Sequence, residues 1–355
     1  MGNKRPKSGT HRVDRRQFLK ASGAAGLTMG VAGCGALNSG DGSEFPNQDL
    51  TIIVPSPPGG GFSNISEALA PYMEKHLPGD NSVAIDNTVG GGGLAATEKA
   101  FGAEADGHTM LFMYTNQLAI GDLYLDTAFN PREFQYFGNI SEDPYSLLSR
   151  TDTDVQGWED FADRVGEFNF ATQGGGTNGH IDILVIGELT DSFGVDDLNF
   201  THYQGSGPAA QALANGEADF LGQTAPATFN DAQSFEELEM LVTFAPEDGT
   251  GGKFTDQSRF FLNDIPDDSV EEAVQPTLFP RFFAAPPDVD ESRVETLQTA
   301  FEDSLDDEDF QEDINQVHML TNPTVGPDRV TSLLDRQYET YQSEPFSSVL
   351  SEALS

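Results

Sequence analysis

Short apolar runs alternate with amphipathic stretches along most of this chain. "LTIIVPS" (50–56) reads as a buried strand, and "NISEALAPYMEKHL" (64–77) follows with Ile65, Leu69 and Tyr72 at helical spacing. "SVAID" is a second strand, "LAATEKAFGAE" a short helix and "TMLFMYT" a third strand. The rhythm then returns: "FNFATQ" as strand, "HIDILVIGELTDSFG" as helix, "FTHYQG" as strand, "GPAAQALANG" as helix, and "ADFLGQT" and "LEMLVTFA" as strands. "ESRVETLQTAFEDSLDDEDFQEDINQ" and "PDRVTSLLDRQYETYQSE" read as two acidic amphipathic helices. The βα alternation runs from about 48 to 140 and again from about 145 to 245. That predicts two similar α/β lobes, with helices on both faces of parallel sheets.

Four glycine-rich turns each follow an expected strand and precede an expected helix: "PSPPGGGFSN" (55–64), "NTVGGGG" (87–93), "TQGGGTNGH" (172–180) and "HYQGSGPA" (202–209). In open α/β sheets this is the carboxyl end of the strands, where ligands bind. A helix amino end carries free N–H groups and partial positive charge, so it attracts anions. Glycine lets a carboxylate reach those N–H groups with no Cβ in the way. Ser63, Thr177 and Ser206 are placed to cap the helices or to donate hydroxyls to a ligand. Each turn has a plainer reading as tight-turn chemistry; four in corresponding places favour a site.

Charge changes the picture of the surroundings. The chain has 18 Lys+Arg against 58 Asp+Glu, a formal −40. Seven of the basic residues and one acid, Asp14, precede Cys34, so the rest carries 11 basic against 57 acidic residues, a formal −46. This argues against nucleic acid as a partner. Dense surface carboxylate keeps a protein hydrated in concentrated salt, so the composition points to a halophilic setting. Lys4 to Arg16 is basic and ends in the pair Arg15-Arg16; a weakly apolar run from Ala21 to Ala32 and then Val31-Ala32-Gly33-Cys34 follow. The order resembles a twin-arginine export signal joined to a lipobox, which implies a lipid on Cys34. Residues 1–34 are thus read as signal and lipobox and 35–44 as a flexible tether. Cys34 is the single cysteine, so a disulfide within the chain and a cysteine metal cluster are both excluded.

Catalytic patterns are poorly matched. No Gly-Lys-Ser/Thr ending marks a phosphate loop, and the dinucleotide match at "GGGGLA" comes cheaply from a glycine run. His76, His108, His180, His202 and His318 form no His-Glu-x-x-His pair, and Ser206 lacks a full nucleophile elbow. "TDTD" (151–154) reads as a solvated turn before it reads as a calcium site. The expectation is no enzyme, no cofactor and no metal.

The ordered motifs resemble the solute receptors of tripartite tricarboxylate transporters, the Bug-type receptors. They are the "LTIIVPSPPGGGFSN" opening, "DNTVGGGGLAATEKAFGAEADGHTMLF", the Gly174, Gly176, Thr177, His180 turn, "HYQGSGPAAQALANGEADF" and "LFPRFFAAPPDVDESRV". The resemblance implies a type II periplasmic-binding-protein fold of α/β class, two lobes closing over a ligand cleft. Lobe 1 is expected at 45–142 and 245–355, and lobe 2 at 143–244. It implies an organic carboxylate captured outside the cytoplasm and passed to the membrane subunits of such a transporter by a lipid-anchored monomer. The alternatives are a surface-anchored sensor of the same fold and a hydrolytic enzyme. The positions carried over as ligand-binding are Gly59, Gly60, Gly61, Phe62, Ser63, Gly91, Gly92, Thr177, His180, Tyr203 and Gly205. Ser63 stands where the family often has Asp, Glu67 replaces a common arginine, and His202 replaces the proline before Tyr203.

Overall fold

The computed structural model describes residues 45–174, 177–246, 254, 256–316, 323–344 and 346–354. In chain order the elements begin with β1 (Leu50–Val54), α1 (Gly61–His76), β2 (Val83–Asn87), α2 (Leu94–Phe101), β3 (Thr109–Tyr114), α3 (Thr115–Tyr124) and β4 (Gln135–Asp143). Next come β5 (Tyr145–Arg150), α4 (Trp158–Asp163), β6 (Asn169–Thr172), α5 (Asn178–Leu189), β7 (Asn199–His202), α6 (Ser206–Ala214), β8 (Phe220–Thr224) and α7 (Ala225–Ser234). The chain continues with β9 (Leu238–Thr243), β10 (Ser258–Phe261) and α8 (Asp268–Ala273). It closes with β11 (Phe279–Ala285), α9 (Glu291–Leu305), α10 (Glu308–Gln316), β12 (Thr324–Val325), α11 (Asp328–Gln342) and α12 (Phe346–Ala353).

These build two six-stranded sheets, ordered β12-β4-β11-β3-β1-β2 and β10-β9-β5-β8-β6-β7. β1 lies between β2 and β3, parallel to both, and buries every residue but Thr51. Its unbroken Ile-Ile-Val run suits a strand covered on both faces. Aromatic rings fill the first core, with Phe112 stacked on Phe283 at 4.2 Å. α5 is buried on nearly every side because both lobes pack on it. Its Ile181 and Val185 join the core of the first sheet with Phe346 and Leu350 of α12, and its Ile183 and Ile186 join that of the second.

The expected return to lobe 1 at 245 is corrected. β10 pairs with β9 in the second sheet, so the chain stays in lobe 2 through α8 and crosses back just before Phe279. The hinge strands were not singled out from sequence either. β4 and β5 are buried almost end to end, which erases the alternation that betrays a strand with one wet face. The first acidic helix, expected over 291–316, is two helices broken after Leu305.

Register shows how the two sheets face each other. In the first, Phe279 opposes Asp143 and Arg281 opposes Tyr114, so both crossovers leave from the edge where β1 and β3 end. In the second, Tyr145 opposes Thr224 and Ser146 opposes Thr243, so the β4–β5 crossover arrives where β8 and β9 end. The carboxyl edges of the two sheets therefore look at one another across the hinge. The amino ends of α1, α5 and α6 open into the space between them.

Candidate functional site

The turn into α1 gives each of its three glycines a different reason. Gly59 has φ +82°, which disfavours any other residue. Gly60 caps α1, and a Cβ there would stand 2.8 Å from that of Ser56. Gly61 has neither constraint: a Cβ would meet nothing within 4 Å. Gly60 has no side chain to cap with, and among the described residues the N–H groups of Gly61 and Phe62 take no partner, whereas the next N–H, of Ser63, donates to Ser56 Oγ. They form a bare donor pair at the positive end of a 16-residue helix.

Not every expected residue reaches this space. Ser63 is fully buried; its hydroxyl donates to Glu67 at 2.8 Å and accepts from Asn87 Nδ2 at 3.0 Å, while its N–H takes Ser56 Oγ at 3.1 Å. It braces the turn and offers nothing to a ligand. The Phe62 ring packs against Phe112 at 4.9 Å, so only its backbone faces the cleft. Gly91 and Gly92, with φ +56° and +64°, are exposed beside the turn, and Tyr114 donates its hydroxyl to Gly92 O at 2.7 Å.

Across the hinge, Thr177 is the N-cap residue of α5, yet its hydroxyl donates to Gly174 O at 2.7 Å and does not cap. Gly176 of the expected motif lies outside the described residues, as does Cys34. α6 starts after Gly205 (φ +108°) with no side-chain cap, since Ser206 is its first helical residue. Tyr203 is half-buried at this lip, and its N–H donates to Thr172 O at 3.0 Å.

His180 is corrected from a ligand contact to a residue of the wall. Its ring is 6% exposed and sits 4.5 Å from Phe200 and 4.8 Å from His202. Burial, and then the neighbouring His202, lower its pKa to about 4, so it is neutral at pH 7. A histidine depressed below its unfolded value stabilises the fold fully above about pH 6.5 and progressively less as pH falls toward 4, because the unfolded chain then takes up the proton first. Melting curves from pH 7 to 4.5 in strong salt are expected to lose roughly 2 kcal/mol from this group. That part of the slope should vanish in His180→Asn; an unchanged slope would remove His180 as its source.

The cleft floor holds the groups that sequence reasoning missed. Arg281 on β11 is 6% exposed and pairs with the fully buried Asp143 at the end of β4. It also donates to Ser141 Oγ at 3.2 Å and lies 4.9 Å from the Phe279 ring centre and 5.4 Å from that of Phe62. Burial lowers its pKa to about 9, still far enough above neutrality to leave it charged. Burial first, and then the Asp182 carboxylate of α5, raise the Tyr114, Tyr145 and Tyr341 hydroxyls, which therefore stay protonated. Tyr145 donates to Gly179 O at 3.2 Å in the first turn of α5. One tyrosine in each lobe thus ties a backbone turn of the cleft to the floor. The legible signal was Arg281 itself, a lone cation inside the apolar run "LFPRFFAA".

A groove of about 570 Å³ lies elsewhere, between α9 and α11, lined by Phe134, Tyr136, Glu291, Glu295 and Leu334. Its cation, Arg132, is already paired with Asp335, so it lacks the convergent free donors of the cleft. Among the described residues no group of three or more His, Cys, Asp or Glu could hold a metal ion, and no helix is long and apolar enough to cross a membrane.

Family comparison decides what this architecture is. The model of the tripartite tricarboxylate transporter family receptor matches residues 65–322. The chain belongs to that family. The match spans the hinge, α5, the turn before α6 and β11, and begins within α1, just after the glycine turn that feeds it. A twin-arginine translocation signal matches residues 12–32, so this family member is exported by that route to the extracytoplasmic side. A protein encoded between tcbD and tcbE in Pseudomonas sp. (strain P51) is 27% identical over 188 residues, 50% of this chain and 52% of that protein. The chain spans between 52% and 58% of the length of the curated relatives it matches. Among solved structures, Rpa4515 of R. palustris with adipate has a TM-score of 0.70 at 17% identity, over 86% of this chain and 98% of that one. MatC from Rhodopseudomonas palustris with bound malate has a TM-score of 0.67 at 21% identity, over 88% and 100%. At such identities the likeness establishes the fold.

Proposed function

We propose that the exported body captures a small organic carboxylate between its lobes and delivers it to the membrane subunits of a tripartite tricarboxylate transporter. The observation that carries this reading is the bare N–H pair of Gly61 and Phe62 at the amino end of α1, on the carboxyl edge of the first sheet, with the amino end of α6 on the carboxyl edge of the second. Such donors suit a carboxylate and need no charged side chain. Malate and adipate, held by two proteins of the same fold, are both dicarboxylates, in keeping with two donor walls. The site binds without reacting: the Ser63 hydroxyl is buried and tied to Glu67, and the His180 ring is buried against Phe200, so neither is presented to a ligand as nucleophile or base. A lipid on Cys34 and the tether 35–44 hold the receptor, as a monomer, at the outer face of the membrane.

A body near −46 repels an anion at long range in dilute buffer. At molar salt the Debye length is about 3 Å, so only the local helix dipoles act on the ligand. Calorimetric titration with organic acids should therefore show affinity that holds or improves in strong salt and collapses with the fold in dilute buffer. Tight binding by a well-folded protein in dilute buffer would contradict the halophilic reading; no binding by any acid at molar salt would contradict the receptor reading.

A further inference from the structure

The strand orders assign a partner to each turn of the cleft. Counting outward from the crossovers, the first sheet runs β4, β11, β3, β1, β2 and the second β5, β8, β6, β7. β1 and β6 feed α1 and α5, so the turns after β2 and β7 are the outer lips, furthest from the hinge. The turn after β2 presents Val89, which is 60% exposed. Among the described residues the only other large exposed apolar side chain is Val325, on the far edge strand β12.

Val89 is displayed by a braced backbone. Thr88 N–H donates to Val54 O at 2.9 Å, and the Thr88 hydroxyl donates to Asp86 at 2.8 Å and accepts from Lys99 at 3.2 Å. Gly90 O accepts from Gly93 N–H at 3.0 Å. On the lip after β7, Tyr203 packs partly on the alanine-rich core behind α6, and at Gly205 and Gly207 a Cβ would meet nothing within 4 Å. A shelf of ring and bare backbone thus stands where a side chain would otherwise be. Strong salt screens any ionic closing contact, whereas salting-out ions strengthen apolar burial.

We propose that Val89 is the closing contact of the cleft: as the lobes come together over a ligand, its side chain packs on Tyr203 and the Gly205–Gly207 backbone. It is a positioning residue that sets affinity without touching the α1 donors, and its role rests on the receptor reading above. Titration at molar KCl with malate, adipate and citrate, together with small-angle scattering, tests it. Val89→Ala is expected to weaken binding about five- to tenfold, with the ligand-free melting temperature unchanged. Val89→Ile should restore tight binding, and Val89→Asp should abolish the ligand-induced compaction. Equal affinity in wild type and Val89→Ala, or an altered ligand-free melting temperature, would overturn the proposal. A wild type that binds none of the three acids would instead overturn the receptor reading, and this inference with it.

Discussion

Asp143→Asn should destabilise the protein by about 3–5 kcal/mol in denaturant titrations at molar salt, the largest loss expected from one side-chain change. Asp143 is fully buried, and its carboxylate is the partner of the buried Arg281 guanidinium. The substitution leaves that charge uncompensated in the floor between the lobes. The two aromatic faces and the Ser141 hydroxyl around Arg281 cannot replace a carboxylate. The double variant Asp143→Asn, Arg281→Met should recover most of the loss, because it removes the stranded charge. The contrast is Asp335→Asn, which breaks an ion pair with Arg132 whose side chains are both more than half exposed, and should cost under about 1 kcal/mol. Similar losses for the two aspartates would show that the hinge pair is no more than a surface contact.

Gly61→Ala should weaken ligand binding by roughly 10- to 100-fold and leave the fold intact. A methyl there meets open space, and alanine suits a helix better than glycine. The same methyl stands over the N–H pair that a carboxylate must reach; loss of one hydrogen bond to a charged group costs about 1.5–3 kcal/mol. Gly93→Ala should do the reverse. Gly93 has φ +107°, and its Cβ would collide with the end of Met113 and stand 3.1 Å from Pro55 Cβ, so stability should fall. Calorimetry and melting curves on both variants separate a glycine kept for the ligand from one kept for the fold. A Gly61→Ala protein that binds as well as the wild type would rule out approach through this turn.

The turn chemistry reached furthest in the sequence. "IIVPSPPGGGF" was readable as strand, break and helix start because each piece is local: an apolar run, prolines that cannot continue a strand, and glycines that leave the backbone N–H groups bare. The order of the glycine motifs carried the family. Ser63 and His180 misled because residue type says nothing of direction. One points back into the Glu67–Asn87 brace, and the other behind the wall against Phe200. The lobe boundary failed for a related reason: the pairing of β10 with β9 is a long-range hydrogen-bond choice that no local pattern announces.

By itself the sequence determined the α/β class, the two lobes, the export signal, the acidic character and the glycine turns, since these follow from periodicity, composition and backbone permissiveness over short spans. Only the tertiary structure decided that Arg281 meets Asp143, that Tyr114 and Tyr145 tie down two turns, that α5 serves both cores, and that Gly61 alone of its triplet is free of the fold's demands. Those outcomes depend on which distant segments share a buried space. There, desolvation makes a charge find its partner and close packing leaves room for one side chain and not another.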